Sequence, residues 1–103
     1  MPKLGFAYRN YARGILNWDG FVADICGEAA TVDVSLLVSQ LPSEIALRLS
    51  QSSVISNPPV DLRNFPIVAA CIYVPGTTNE ELNAESERHS RGAWALHKHF
   101  YPA

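Results

Sequence analysis

TNEELNAESERHSRGAWALHKHF, residues 78–100, decides the fold: it reads as one uninterrupted helix and holds all three histidines of the chain. Pro75 and Gly76 break whatever precedes it. Thr77 and Thr78 each have a glutamate three residues on, Glu80 and Glu81, so either can form a capping box. Carboxylates in the first turn suit the positive end of the helix dipole, and Lys98 with the neighbouring histidines suits the negative end. Pro102 stops the helix. Its length would be about 33 Å.

One face of this helix repeats in steps of four and three: Leu82, Ser86, His89, Ala93, Leu96 and Phe100. That spacing belongs to a seam packed against another element. The C-terminal half of the seam is apolar and should dock on the body. The N-terminal half carries Ser86 and His89 among Glu80, Glu81, Glu85, Glu87, Arg88 and Arg91, and should be solvated or should meet a partner. Gly92 costs about 1 kcal/mol relative to alanine in a helix, unless a close backbone approach requires it.

Working outward, four shorter helices are expected. Residues 4–13 place Leu4, Tyr8, Tyr11, Ala12 and Ile15 near one face, with Gly14 as the left-handed terminator. Residues 17–30 are the clearest element. Asn17 can cap; Trp18, Phe21, Val22, Ile25, Cys26 and Ala29 recur at the helical period, and Asp24, Gly27 and Glu28 should face water. Asp33 can cap a third helix with Val34, Leu37, Val38 and Leu41 on one face. A fourth runs from Ser43 to about Gln51. Gly14, Leu16 and Phe21 invite comparison with a calcium-binding helix-loop-helix, but Arg9, Tyr11, Arg13 and Gly20 occupy the ligand positions, and the match fails. The string Leu41-Pro42-Ser43-Glu44-Ile45 resembles the opening of an F-box over about ten residues. The following chain, loop-like from Ser52 with Asn57, Pro58 and Pro59, departs from that family's helical continuation.

Residues 52–64 should be irregular. Residues 65–74 are almost wholly apolar, with eight residues fenced between Pro66 and Pro75, which reads as a short buried strand, with a helix starting at Pro66 as the alternative. A strand there has only weak pairing partners in the chain, so self-association into a homodimer through this stretch is expected. The fold class is therefore mainly α: a small single-domain helical bundle of residues 1–103, with about five helices, a long C-terminal helix and one short apolar strand.

Composition narrows the function. At 103 residues there is room for one core. A 48% apolar and 17% charged chain is ordinary for a folded domain. No apolar run approaches a membrane span and no signal-peptide pattern opens the chain, so a cytoplasmic location is expected. Net charge -2 gives no global attraction to nucleic acid or to an anionic membrane. Cys26 and Cys71 sit in apolar settings outside any C-x-x-C, as buried thiols of a reducing compartment do.

Catalytic and metal readings find little support. His97 and His99 lie about 200° apart around a helix, and His89 and His97 about 12 Å apart along it, so no pair shares a metal. Glu85 and Ser86 both precede His89 by about one turn, whereas a triad needs its partners on opposite edges of the imidazole. No metal and no cofactor is predicted. The expected function is a small protein-binding protein, such as an inhibitor, an immunity or antitoxin-like factor, or a regulatory adaptor. Its binding surface is placed at Glu81, Glu85, Ser86, Arg88, His89, Arg91 and Trp94. The alternatives are a small enzyme assembled around Glu85 and His89, or a nucleic-acid module using the basic and aromatic residues of the C-terminal segment.

Overall fold

A computed structural model of the chain describes residues 4–58, 76 and 78–102. Among these residues there are six helices and no strand: α1 (Phe6–Ala12), α2 (Trp18–Ala29), α3 (Val34–Ser39), α4 (Ser43–Ser50), α5 (Ser53–Ser56) and α6 (Asn79–Phe100). The fold is mainly α with a long C-terminal helix, as the periodicity predicts. Residues 65–74, and with them the strand reading, the self-association surface and Cys71, lie outside the described residues. None of the described helices is long and apolar enough to cross a membrane.

Local sequence explains where three of the six described helices begin. The Asn17 side chain accepts from the Gly20 amide at 2.8 Å, that of Asp33 from Leu36 at 3.3 Å, and that of Thr78 from Glu81 at 3.1 Å. Each satisfies an amide that has no partner inside its helix. Of the two threonines that could cap the long helix, Thr78 is the one that does. Helix α1 ends as predicted. Gly14 has φ 78, the Gly14 amide donates to the Tyr11 carbonyl and the Ile15 amide to Asn10. This pair of bonds is the Schellman arrangement, which a residue in the left-handed region makes possible.

The start of α1 is not local. Gly5, at φ 75, offers no side chain to cap it. The Glu28 carboxylate of α2 does so instead, accepting from the Gly5 amide at 3.0 Å and the Ala7 amide at 2.7 Å. This corrects the expectation that the polar side of α2 faces water. Gly27 is buried, and Asp24 and Glu28 are half-buried, because α1 and α6 both pack on that helix. The core gathers around α2: Phe21, Val22, Ala23, Ile25 and Cys26 are at most 2% exposed, and Leu37, Leu49, Ile55, Ala93 and Leu96 close over them from the other elements. Trp18, expected in the core, is only half-buried, and Ile15 is 66% exposed rather than on the inward face of α1.

The stretch read as irregular contains the single turn α5. It exists because Ile55 is fully buried and because its carbonyl accepts from His97 Nδ1 at 2.8 Å. The end of α6 is tied down in the same neighbourhood, where the Tyr101 hydroxyl donates to the Ser50 carbonyl at 2.8 Å.

Candidate functional site

The predicted site residues all lie on α6, and the way α6 meets α2 divides them. The two helices cross at Gly92. A Cβ there would fall on the Cys26 carbonyl oxygen, 2.6 Å from its carbon and 3.2 Å from the Ala30 amide nitrogen. The glycine is therefore required by backbone contact, the condition under which its helix penalty is tolerated. One turn earlier a second glycine serves from the other side: a Cβ at Gly27 would sit 3.1 Å from His89 Nε2 and 3.3 Å from both Arg88 terminal nitrogens.

This close crossing encloses the half of the seam that the sequence left open. Ser86 is 9% exposed, His89 1% and Ser90 0%. The helix is thus docked along most of its length, with the polar residues of the seam inside the contact. Glu81 and Arg91 are exposed, and Glu85, Arg88 and Trp94 are half-buried. Of the seven residues proposed as one surface, Ser86 and His89 lie inside the helix contact and five reach the outside.

Around His89 the ionisable groups form one cluster. Arg88 donates to the Glu85 carboxylate at 2.7 Å and, through its other terminal nitrogen, to the Gly27 carbonyl at 3.2 Å. His89 Nδ1 donates to the Glu85 backbone carbonyl at 2.8 Å and lies 3.7 Å from its carboxylate. Burial holds the His89 imidazole below its ordinary pKa and Arg88 pushes the same way, against the Glu85 carbonyl, the Glu85 carboxylate and Asp24. Burial raises the Asp24 carboxyl, opposed by His89 and Arg88. A neutral imidazole 1% exposed, wedged against the backbone of α2, is a packing element. Glu85 and His89 are brought together, but the ring nitrogen nearer Glu85 is already engaged by a carbonyl. Cys26 is a buried free thiol whose pKa burial drives upward, so it is no nucleophile. Among the described residues no group of three or more histidines, cysteines and carboxylates could hold a metal ion.

The C-terminal basic and aromatic segment also faces inward in part. His97 meets Trp94 edge-on at 5.5 Å and lies tilted against Tyr101 at 5.1 Å between ring centres, and His97 and Tyr101 hold α5 and the end of α4. Lys98 and His99 are exposed.

A second constellation, on the opposite side of α2, was not singled out from sequence. The Arg48 guanidinium of α4 lies 3.9 Å over the Trp18 ring and donates to the Tyr11 hydroxyl at 3.3 Å. Tyr11 and Trp18 are 5.6 Å apart, and each is 5.1 Å from Phe21, which is fully buried. The aromatics are therefore braced from behind by the core while Arg48 covers them from outside. Ile15 at 66% and Leu47 at 60% exposure are the most exposed large apolar residues of the described chain; Ile15 lies in the turn between Tyr11 and Trp18, and Leu47 precedes Arg48 in α4. The available signal was the Arg48–Trp18 pairing of a cation with an aromatic, but twenty-nine residues of intervening chain hide it.

Compared with protein-family models, with curated proteins and with solved structures, the chain matches none of them.

Proposed function

We propose that the chain is a protein-binding protein of the cytosol, an inhibitor or adaptor rather than a catalyst, with the capacity to pair with a second copy through residues 65–74. The observation that supports binding is the surface group of Tyr11, Trp18 and Arg48, on a chain that also exposes Ile15 and Leu47. Tryptophan, tyrosine and arginine dominate the energetic centres of protein interfaces, and a centre works best when its side chains are already held in place. The braced aromatics meet that condition. The outer side of α6, with Glu81, Glu85, Arg88, Arg91 and Trp94, supplies a charged second face for the same role.

Site-specific photocrosslinking tests this. A benzophenone side chain is placed at position 15, at 47 or at 81 and irradiated in extract of the source cells. Discrete adducts at 15 and 47 are expected. Adducts at 81 alone would move the binding surface to α6, and a featureless smear at every position would remove the reading.

A further inference from the structure

We infer that the outer face of α6 pairs with the same face of a second copy of the chain, the two helices running antiparallel. This rests on the self-pairing part of the reading above and moves the seam from residues 65–74 to a helix whose geometry is described. Glu80, Ala84, Glu87, Arg91 and Lys98 are all exposed. On one unbroken helix they fall within about 60° of arc. Buried Ser86, His89, Ala93 and Leu96 occupy the opposite side. A single continuous element therefore places the five in one stripe.

The stripe is acidic in its first half and basic in its second. The helix dipole accounts for the ends, Glu80 and Lys98, but its influence fades within a turn. Glu87 and Arg91 lie about two turns inside either end. They stand one turn apart and do not pair with each other. Among the described residues, ion pairs join Glu85 to Arg88 and His89, and none involves Glu80, Glu87, Arg91 or Lys98.

The order of these charges selects the partner. A segment of one sign meets repulsion from half of the stripe, and a parallel second copy sets glutamate on glutamate. An antiparallel second copy reverses the order. Positions 80 and 98, like 87 and 91, are symmetric about position 89. Glu80 then meets Lys98 of the partner subunit, and Glu87 meets Arg91 of the partner subunit, each pair formed twice under two-fold symmetry. The same register sets Ala84, the small residue of the stripe, against Trp94 of the partner subunit, a half-buried ring at the stripe's edge. The contact runs about 27 Å along the helix. Exposed ion pairs contribute little singly, and a network of them along one seam gives a weak, salt-sensitive dimer.

Sedimentation equilibrium of the intact chain tests the inference. A monomer–dimer equilibrium is expected, and salt near 1 M, which screens charges beyond about 3 Å, should weaken it. Glu87→Arg and Arg91→Glu should each weaken self-association roughly tenfold or more. An equimolar mixture of the two variants should associate like wild type, because each supplies the sign that the other lacks. Both positions are exposed, so both variants should keep the wild-type melting temperature, which circular dichroism verifies. The register is read in a Cys71→Ser background: under mild oxidation, Glu80→Cys copies should form disulfides with Lys98→Cys copies in preference to their own kind. A dimer that ignores the charge reversals, or that links 80 to 80 and 98 to 98, would overturn the antiparallel seam and leave self-pairing elsewhere in the chain standing. A monomer at the highest soluble concentration would overturn both.

Discussion

At the scale of single residues, two glycines show two different physical demands. Gly92 has helical geometry and lacks space, since any Cβ would land on the Cys26 carbonyl. Gly14 has open space around it and a φ of 78. Gly92→Ala gains about 1 kcal/mol of helix propensity but forces two helix backbones apart; a net loss of roughly 1–3 kcal/mol is expected in urea unfolding. Gly14→Ala should cost about 1 kcal/mol through backbone strain alone. His89 carries a pH dependence. Its pKa in the folded chain lies below the ordinary 6.5, chiefly through burial. The unfolded chain therefore binds the proton first as pH falls. Stability is fully present above 6.5 and is lost as pH drops from there through the folded-state value. The melting temperature should fall on going from pH 7 to pH 5, and His89→Gln should flatten that part of the curve. An equal fall in the variant would assign the effect to other groups.

At the scale of elements, the sequence spoke clearly wherever the cause was local. The caps at Asn17, Asp33 and Thr78 and the terminator at Gly14 sit within a few residues of what they satisfy, and all were readable. The readings that failed concern distant partners. Glu28 and Gly27 look like solvent-facing residues, but one caps α1 and the other makes room for α6. Ser86 and His89 look too polar for a packed seam, yet both are buried where α6 packs on α2. The turn α5 follows from the burial of Ile55 and its bond to His97, forty-two residues away. Glu28 gives the sharpest test of such tertiary capping. Glu28→Ala leaves the Gly5 and Ala7 amides without their acceptor and should cost about 1–2 kcal/mol. Hydrogen exchange should quicken at those two amides before it does in α2. If α1 stays as protected as in wild type, the carboxylate is not what holds it.

At the scale of the whole molecule, α2 has α1 on one side and α6, contributed by the far end of the chain, on another. Neither end can leave without uncovering Phe21, Ile25 or Leu96. The chain carries a tryptophan at each end of this arrangement, Trp18 beside Arg48 and Trp94 beside His97. Fluorescence of Trp18→Phe and Trp94→Phe variants therefore follows the two sides separately. After correction for each variant's stability, the two should report a single denaturant transition with equal slopes. Separate transitions would mean that α6 releases before α1, α2 and α4 come apart. The helix crossing also turns Cys26 into a clock. Its side chain is fully buried, its carbonyl lies beneath Gly92, and burial suppresses its thiolate. Alkylating reagents can reach that sulfur only during the brief excursions in which α6 lifts away. In a Cys71→Ser background, the labelling rate in native buffer, divided by the rate in an unfolded control, should give the fraction of time the crossing stands open. That ratio should agree with the unfolding equilibrium; labelling far faster than this would reveal a hinged helix on an otherwise folded body.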